Sequence, residues 1–258
     1  MILLSFDIEE FDMPFEYGKS IDFAEQLAIS TEGTNKILDI MARRNIKATF
    51  YCTANYALNK PDVIARIVNE GHEIASHGYY HSDFKVEHLK QSKDTLEQLT
   101  GKQVKGYRMA RMMPVDELEI FKAGYQYNSS INPTYLPGRY NNFSKPRTWF
   151  YQDGVLQLPS SVSPLVRFPL FWLSFHNLPM GILKWLSKKT YRKDGYLNLY
   201  FHPWEFTDLK KPEKFGFPGY VSKNTGVDFE KRIDNFIGWA QKEGYRFCTT
   251  GDFVERLG

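Results

Sequence analysis

The chain has 258 residues, 42% hydrophobic and 24% charged, which is the balance of an ordinary globular protein with enough length for one large core. Its formal net charge of +3 is too small to argue for nucleic acid, no nucleic-acid-binding signature accompanies it, and no such partner is expected. No uncharged apolar run reaches the roughly 20 residues needed to span a bilayer. Residues Met1–Asp7 lead directly into a strand pattern without the basic and apolar regions of a secretory signal, so a cytoplasmic location is expected.

In chain order, Ile2–Phe6 is a short apolar run that ends in acidic residues, as a barrel strand does where its C-terminal end meets a site. Ser30 or Thr31 is the expected cap of a helix over Thr34–Arg44. Ala48–Cys52 reads as the next strand. Pro61 opens a helix with Val63, Ile64, Ile67 and Val68 inward and Gly71 at its end. A strand follows over His72–Ser76, then a helix over Val86–Leu99 and a strand near Val104–Tyr107. Val115–Ala123 is the next expected helix. Further strands are expected near Tyr125–Ser129, Gly154–Leu158, Tyr196–Phe201 and Tyr245–Thr249, with a helix over Phe229–Glu243 before the last. Repeated strand–helix units with short loops predict an α/β fold, one domain over 1–258, with the parallel sheet closed or nearly closed into a barrel. Residues 132–151 and 162–193 break this rhythm, and the second stretch is an aromatic and basic insertion. Cys52 and Cys248 stand in apolar contexts and read as reduced core residues.

Four places carry candidate chemistry. In Asp7-Ile8-Glu9, carboxylates one residue apart point to the same side of an extended segment. One could hold a metal while the other takes a proton from an attacking water; the alternative is a solvated acidic loop, since Glu10 and Asp12 follow at once. His77 and His81 have the i, i+4 spacing that closes on one ion from a helical turn, and they follow an apolar strand; coincidence is the competing explanation. Arg108 follows a strand and could fix Asp7 through two parallel hydrogen bonds, with Arg111 as a nearby competitor. His202 closes the strand Asn198–Phe201 ahead of Pro203-Trp204-Glu205 and suits a positioned general acid, or is simply a satisfied, half-buried histidine. His72 precedes its strand and reads as structural, His88 as a helix-surface residue and His176 as a loop residue.

Taken in order, Ser5-Phe6-Asp7-Ile8-Glu9, Gly71 through His81, Gly106-Tyr107-Arg108 and Leu199 through Glu205 resemble the motifs of the polysaccharide deacetylase (NodB-homology, carbohydrate esterase family 4-like) family. The resemblance implies a deformed (β/α)7 barrel and a metal-dependent hydrolase that removes an N- or O-acyl group, such as acetyl, from a polysaccharide or lipid-linked sugar. It implies Glu9, His77 and His81 as metal ligands, with zinc as the first candidate ion and cobalt or nickel as substitutes. It implies Asp7 as the base, Arg108 as the residue that orients it, and His202 as the acid that protonates the leaving group. Three features depart from the family pattern. Ile8 separates the two carboxylates, Met109-Ala110 replaces the proline usually found after the arginine, and Asn128 stands where related sequences often carry Asp. An allantoinase-like amidohydrolase acting on a cyclic amide or ureide, and a weakly active metal-bearing glycan-binding domain, are the alternatives. Trp172, Phe175, Trp185 and Leu186 with Lys184, Lys188 and Lys189 could make 162–193 a peripheral contact at the inner membrane face for a lipid-linked substrate; the alternative is an insertion whose aromatics pack on the barrel or on a second copy.

Overall fold

The computed structural model describes residues 1–138 and 140–257. It begins with β1 (Ile2–Ile8), every residue of which is buried, as expected of a strand covered on both faces of a parallel sheet. Helix α1 (Phe23–Arg44) begins well before the expected Thr34. Its cap is Asp22, whose side chain accepts from the Glu25 amide at 2.9 Å. Ser30 and Thr31 lie inside the helix instead. Ser30 donates to the Glu9 carbonyl at 2.6 Å, and Thr31 bonds the Tyr56 hydroxyl at 2.8 Å.

The alternation then continues through β2 (Thr49–Cys52), a short α2 (Ala54–Asn59) that the sequence pattern did not predict, and then, as expected, α3 (Pro61–Asn69) and β3 (Glu73–Ser76). Next come α4 (Glu87–Thr100), β4 (Gly106–Tyr107), α5 (Glu117–Lys122) and β5 (Tyr127–Asn128). The first irregular stretch holds a small hairpin of β6 (Tyr135–Leu136) and β7 (Tyr140–Asn141), followed by β8 (Phe150–Gln152) and β9 (Val155–Gln157). Asp153 and Gly154, both at positive φ, turn β8 back onto β9. The second stretch forms α6 (Trp172–Asn177) and α7 (Met180–Asp194). The chain ends with β10 (Leu197–Phe201), the short α8 (Pro212–Phe215) and α9 (Gly219–Ser222), α10 (Val227–Lys242), β11 (Phe247–Cys248) and α11 (Thr250–Glu255).

The main sheet runs β10-β1-β2-β3-β4-β5-β9-β8, and β11 also pairs with β1. From β10 to β9 every neighbouring pair is parallel, and only β8 is antiparallel. This curled sheet with its outer helices is the deformed (β/α)7 barrel. The seam between β9 and β10 is held by Asn198, whose amide nitrogen donates to the Leu158 and Pro159 carbonyls at 3.1 and 3.2 Å, while its backbone carbonyl accepts from the Ser161 amide at 2.9 Å. Phe6, Phe50, Phe201, Phe206 and Phe229 form the middle of the core, and both cysteines are free and buried.

Residues 162–193 pack much of their aromatic surface inward. Phe175 sits edge-on between Phe201 and Phe236, and Trp172 lies against Trp204. Leu186 packs against the core from a partly buried position. Lys184 donates to Asn235, and Lys188 pairs with Glu243. Of the residues expected at a membrane face, Trp185 is the exposed aromatic. Among the described residues no helix is long and apolar enough to cross a membrane.

Candidate active site and metal centre

The expected site residues all lie where the parallel strands end. Asp7 is in β1 and Glu9 just beyond it, His77 follows β3, Arg108 follows β4 and His202 follows β10. They converge because parallel strands with helical crossovers bring their C-terminal ends to one face. The acidic loop after β1 is not solvated: Asp7, Glu9, Glu10 and Asp12 are 3%, 5%, 6% and 7% exposed. Each is held by named partners. Glu10 accepts from Thr53 at 2.8 Å and from Asn55, which ties the loop to the start of α2. Phe11 anchors it on Trp204, Phe215 and Phe217.

Glu9, His77 and His81 bring one ligand atom each within 4.8 Å of one another. The Nε2 atoms of His77 and His81 lie 3.0 and 2.9 Å from Glu9 Oε2. The outer nitrogens are engaged elsewhere. His77 Nδ1 is 2.9 Å from the Arg108 carbonyl and His81 Nδ1 is 2.7 Å from Asp12 Oδ1. Bonds to a carbonyl and a carboxylate require Nδ1–H, so both Nε2 atoms turn inward beside Glu9 Oε2, where each would offer its lone pair to an ion. The residues therefore fit a divalent cation. The pair does not sit on a helical turn, however. Residues 79–82 form a bend, entered through Gly78 at φ 89°.

Without an ion the cluster is a network of charge pairs. Burial opposes ionisation of Glu9, but the two imidazoles outweigh it and hold the carboxyl well below its ordinary range. Burial likewise opposes charge on His81, yet Glu9 and Asp12 raise its pKa to about 10.

Arg108 is fully buried. Its contact with Asp7 is a single hydrogen bond, Nη1 to Oδ1 at 2.6 Å, rather than the parallel pair expected. The other guanidinium positions are taken by Ser5 Oγ at 2.9 Å, the Ser129 carbonyl at 3.0 Å and Ser129 Oγ at 3.0 Å. Tyr51 lies under the guanidinium carbon at 3.9 Å. Arg111 does something different. It reaches Asp12, Glu16 and Ser82 from a backbone at φ 56°, with Met112 also at positive φ. Asn128 donates to Gln157 Oε1 at 3.0 Å and accepts from Ser130.

His202 Nε2 lies 3.9 Å from Asp7 Oδ2, and its Nδ1 is 3.0 Å from Glu205 Oε1. Trp204 stacks on the imidazole and Trp172 meets it edge-on. Burial lowers the proton affinity of His202, but Glu205, Glu9 and Asp7 together raise it above the ordinary value. Asp7, Glu9, His77, His81 and His202 line one cavity of about 280 Å³, walled by Trp172, Tyr200, Trp204 and Tyr220.

Three polar residues here were missed from sequence: Asp12, His176 and Glu205. His176 is not a loop residue but a fully buried member of α6, 2.8 Å from Glu205 Oε2. His88 is not on a helix surface either; it is buried beside Tyr79 and Tyr80, and its Nδ1 accepts from the Lys85 amide. The signal for Glu205 was present, because His202-Pro203-Trp204-Glu205 is a capping-box pattern that folds the glutamate back onto residue 202. His72 is structural, as expected, accepting from the Ala48 amide at 3.2 Å.

Residues 2–112, which carry every motif except the last, match the polysaccharide deacetylase family model. The resemblance to polysaccharide deacetylases is borne out. A peptidoglycan-N-acetylmuramic acid deacetylase of Bacillus subtilis is 31% identical over 77 residues, which is 27% of this chain and 29% of that relative. The chain thus matches less than a third of that relative's length. Among solved structures, the probable polysaccharide deacetylase of Pseudomonas aeruginosa superposes with a TM-score of 0.66 at 17% identity, covering 98% of this chain and 89% of that one. Puue allantoinase gives 0.63 at 17% identity, covering 98% and 88%. At these identities the two structures establish a shared fold.

Proposed function

We propose that the chain is a metal-dependent deacylase that hydrolyses an N- or O-acyl group, acetyl first, from a saccharide. The observation that carries this is the convergence, around one cavity, of a Glu-His-His ligand set, an arginine-held carboxylate and a second histidine. Glu9, His77 and His81 would hold the ion; zinc suits two imidazoles and a carboxylate, and cobalt or nickel would also bind. When bound, a divalent cation would acidify water and polarise the acyl carbonyl.

The chain's own residues supply the rest. Arg108 fixes the Asp7 carboxylate through Oδ1, leaving Oδ2 toward His202 and the cavity. Asp7 takes the proton from water as the new C–O bond forms at the acyl carbon. His202, held as an imidazolium, gives its Nε2 proton to the departing nitrogen or oxygen as that C–N or C–O bond breaks. Acetate and the freed amine or hydroxyl are the products. Tyr220, exposed at the cavity wall, offers a ring to the C–H side of a sugar. The cavity, at about 280 Å³, lies just below the roughly 300–1,000 Å³ usual for ligand pockets and suits one ring.

Supporting the carbohydrate substrate are the family match and the relative that deacetylates a peptidoglycan sugar. A lipid-linked sugar is the form of substrate that would place the exposed Leu165, Val166 and Trp185 at a membrane. The test is acetate release by zinc-loaded protein from N-acetylated oligosaccharides, peptidoglycan fragments and a polyprenyl-linked N-acetyl sugar, with allantoin hydrolysis alongside. Acetate release lost in Asp7→Asn and His202→Ala is the expected result. Turnover of allantoin alone would move the chain to cyclic amides, and saccharide binding without turnover by any substrate would make it a glycan-binding domain.

A further inference from the structure

We propose that Glu205 and His176 form a buried relay behind His202: Glu205 fixes the tautomer and orientation of that imidazole, and His176 is the positioning residue that holds Glu205. The proposal rests on the reading of His202 as the acid of the deacylation.

Glu205 and His176 are both fully buried. A buried carboxylate is expensive unless its lone pairs are taken, and here both oxygens are used separately. Oε1 accepts from the His202 amide at 2.6 Å and from His202 Nδ1 at 3.0 Å. Oε2 accepts from His176 Nε2 at 2.8 Å. The carboxylate is thereby pinned at both ends, from its own turn on one side and from α6 on the other. Its backbone carbonyl is fixed too, by the Gly226 amide at the start of α10.

His176 is the informative member. Its ring lies flat on Phe229, with centroids 4.1 Å apart and planes at 10°. Its Nδ1 is buried and has no hydrogen-bond partner among the described residues. A side chain that only filled this space would need no ring nitrogens, and leaving one unpaired carries a cost. What the imidazole supplies in its place is the bond to Glu205. The unpaired Nδ1 also settles the tautomer, since a bare acceptor costs less there than a stranded N–H, and the proton belongs on Nε2 facing the carboxylate.

The consequence falls on His202. An acceptor on Nδ1 makes that nitrogen the N–H, so the exchangeable proton is the one on Nε2, which faces Asp7 and the cavity. The charged groups around the ring are Asp7 and Glu9 from the end of β1, Glu205 from its own turn, and Arg108, paired with Asp7, from the end of β4. Trp172, Trp204 and the titratable Tyr200 from β10 close the remaining sides. Three carboxylates against one guanidinium favour the imidazolium, and Glu205 is the nearest of them.

The test is nitrogen-resolved NMR of the imidazoles in the zinc-loaded protein, with His202 assigned by its loss in His202→Ala. We expect the Nδ1–H tautomer in the wild type, and in Glu205→Gln a fall in His202 proton affinity of about tenfold or more with loss of that tautomer preference. His176→Phe should move the midpoint in the same direction by less, and His176→Gln, which keeps a donor, should restore it. The alkaline limb of kcat/KM for acetate release should shift by the same amounts, with zinc content unchanged. A His202 midpoint and tautomer in Glu205→Gln that match the wild type would overturn the relay. Should Glu205→Gln not fold, the His176 pair decides alone: equal midpoints in His176→Phe and His176→Gln reject it. Because the spectra need no turnover, absence of deacylation would count against the proposed function, while the midpoints and tautomers would still decide the relay.

Discussion

At the scale of single residues, the candidate site is built from side chains at strand ends and from partners that reach them across loops. Asp7, Glu9, His77, Arg108 and His202 could be found because each adjoins an apolar strand, and strand ends in such barrels share a face. Asp12, Glu205 and His176 act through contacts that cross from loop to loop or turn to helix, and spacing does not record these. Asp12 illustrates what was lost. In sequence it is one more acid in a crowded loop; in the structure it accepts hydrogen bonds from His81 Nδ1, Arg111 and Ser82. Such partners set the orientation of a ligand imidazole, and their removal costs about 10–100-fold in metal affinity. Asp12→Asn should weaken zinc binding by about that factor in a chelator competition, with Glu9, His77 and His81 intact. Unchanged affinity would show that His81 needs no such support.

At the scale of elements, type and order followed the hydrophobic pattern, while starts and ends did not. The early turns of α1 were missed because Phe23–Gly33 carries polar residues at several positions of its inner face. The structure explains them: Gln26 donates to the Ile21 carbonyl and Ser30 to the Glu9 carbonyl, so a polar face is satisfied against the acidic loop. The same helix sets the turn that carries His202. A Cβ at Gly33 would fall 1.8 Å from the carbonyl oxygen of Pro203, so α1 and the turn carrying His202 and Glu205 touch backbone to backbone. Gly33→Ala should therefore cost about 1–3 kcal/mol or more, as overpacking does. Because the displaced turn holds His202, kcat should fall more than KM changes. A variant with wild-type melting temperature and kcat would mean the contact is slack.

At the scale of the whole molecule, the barrel was legible from repeated strand–helix units, but the way its two ends meet was not. The short β4, β5 and β9, the β8–β9 hairpin and the Asn198 seam depend on side chains that meet only after folding. Charge in the site also reaches the whole fold through linkage. In the metal-free protein His81 has its pKa raised from 6.5 to about 10, so its contribution to stability is full below 6.5 and is lost as pH rises through 10. Glu9 and Asp12 have depressed pKa values, so their contributions are present above 4.5 and 3.8 and are lost as pH falls through their folded values. Metal-free protein should thus unfold at lower denaturant at about pH 9 than at about pH 6. Zinc should remove that difference, because a ligating imidazole carries no proton to lose. Equal midpoints at both pH values without metal would contradict the pairing of His81 with two carboxylates.

The chemistry of the site rests on one claim, that Glu9, His77 and His81 hold a metal ion. Elemental mass spectrometry of purified protein against the His77→Ala/His81→Ala variant tests it most directly. We expect a single divalent ion per wild-type chain, retained through desalting and absent from the variant. Wild-type protein that stays metal-free after incubation with zinc, cobalt and nickel would contradict it.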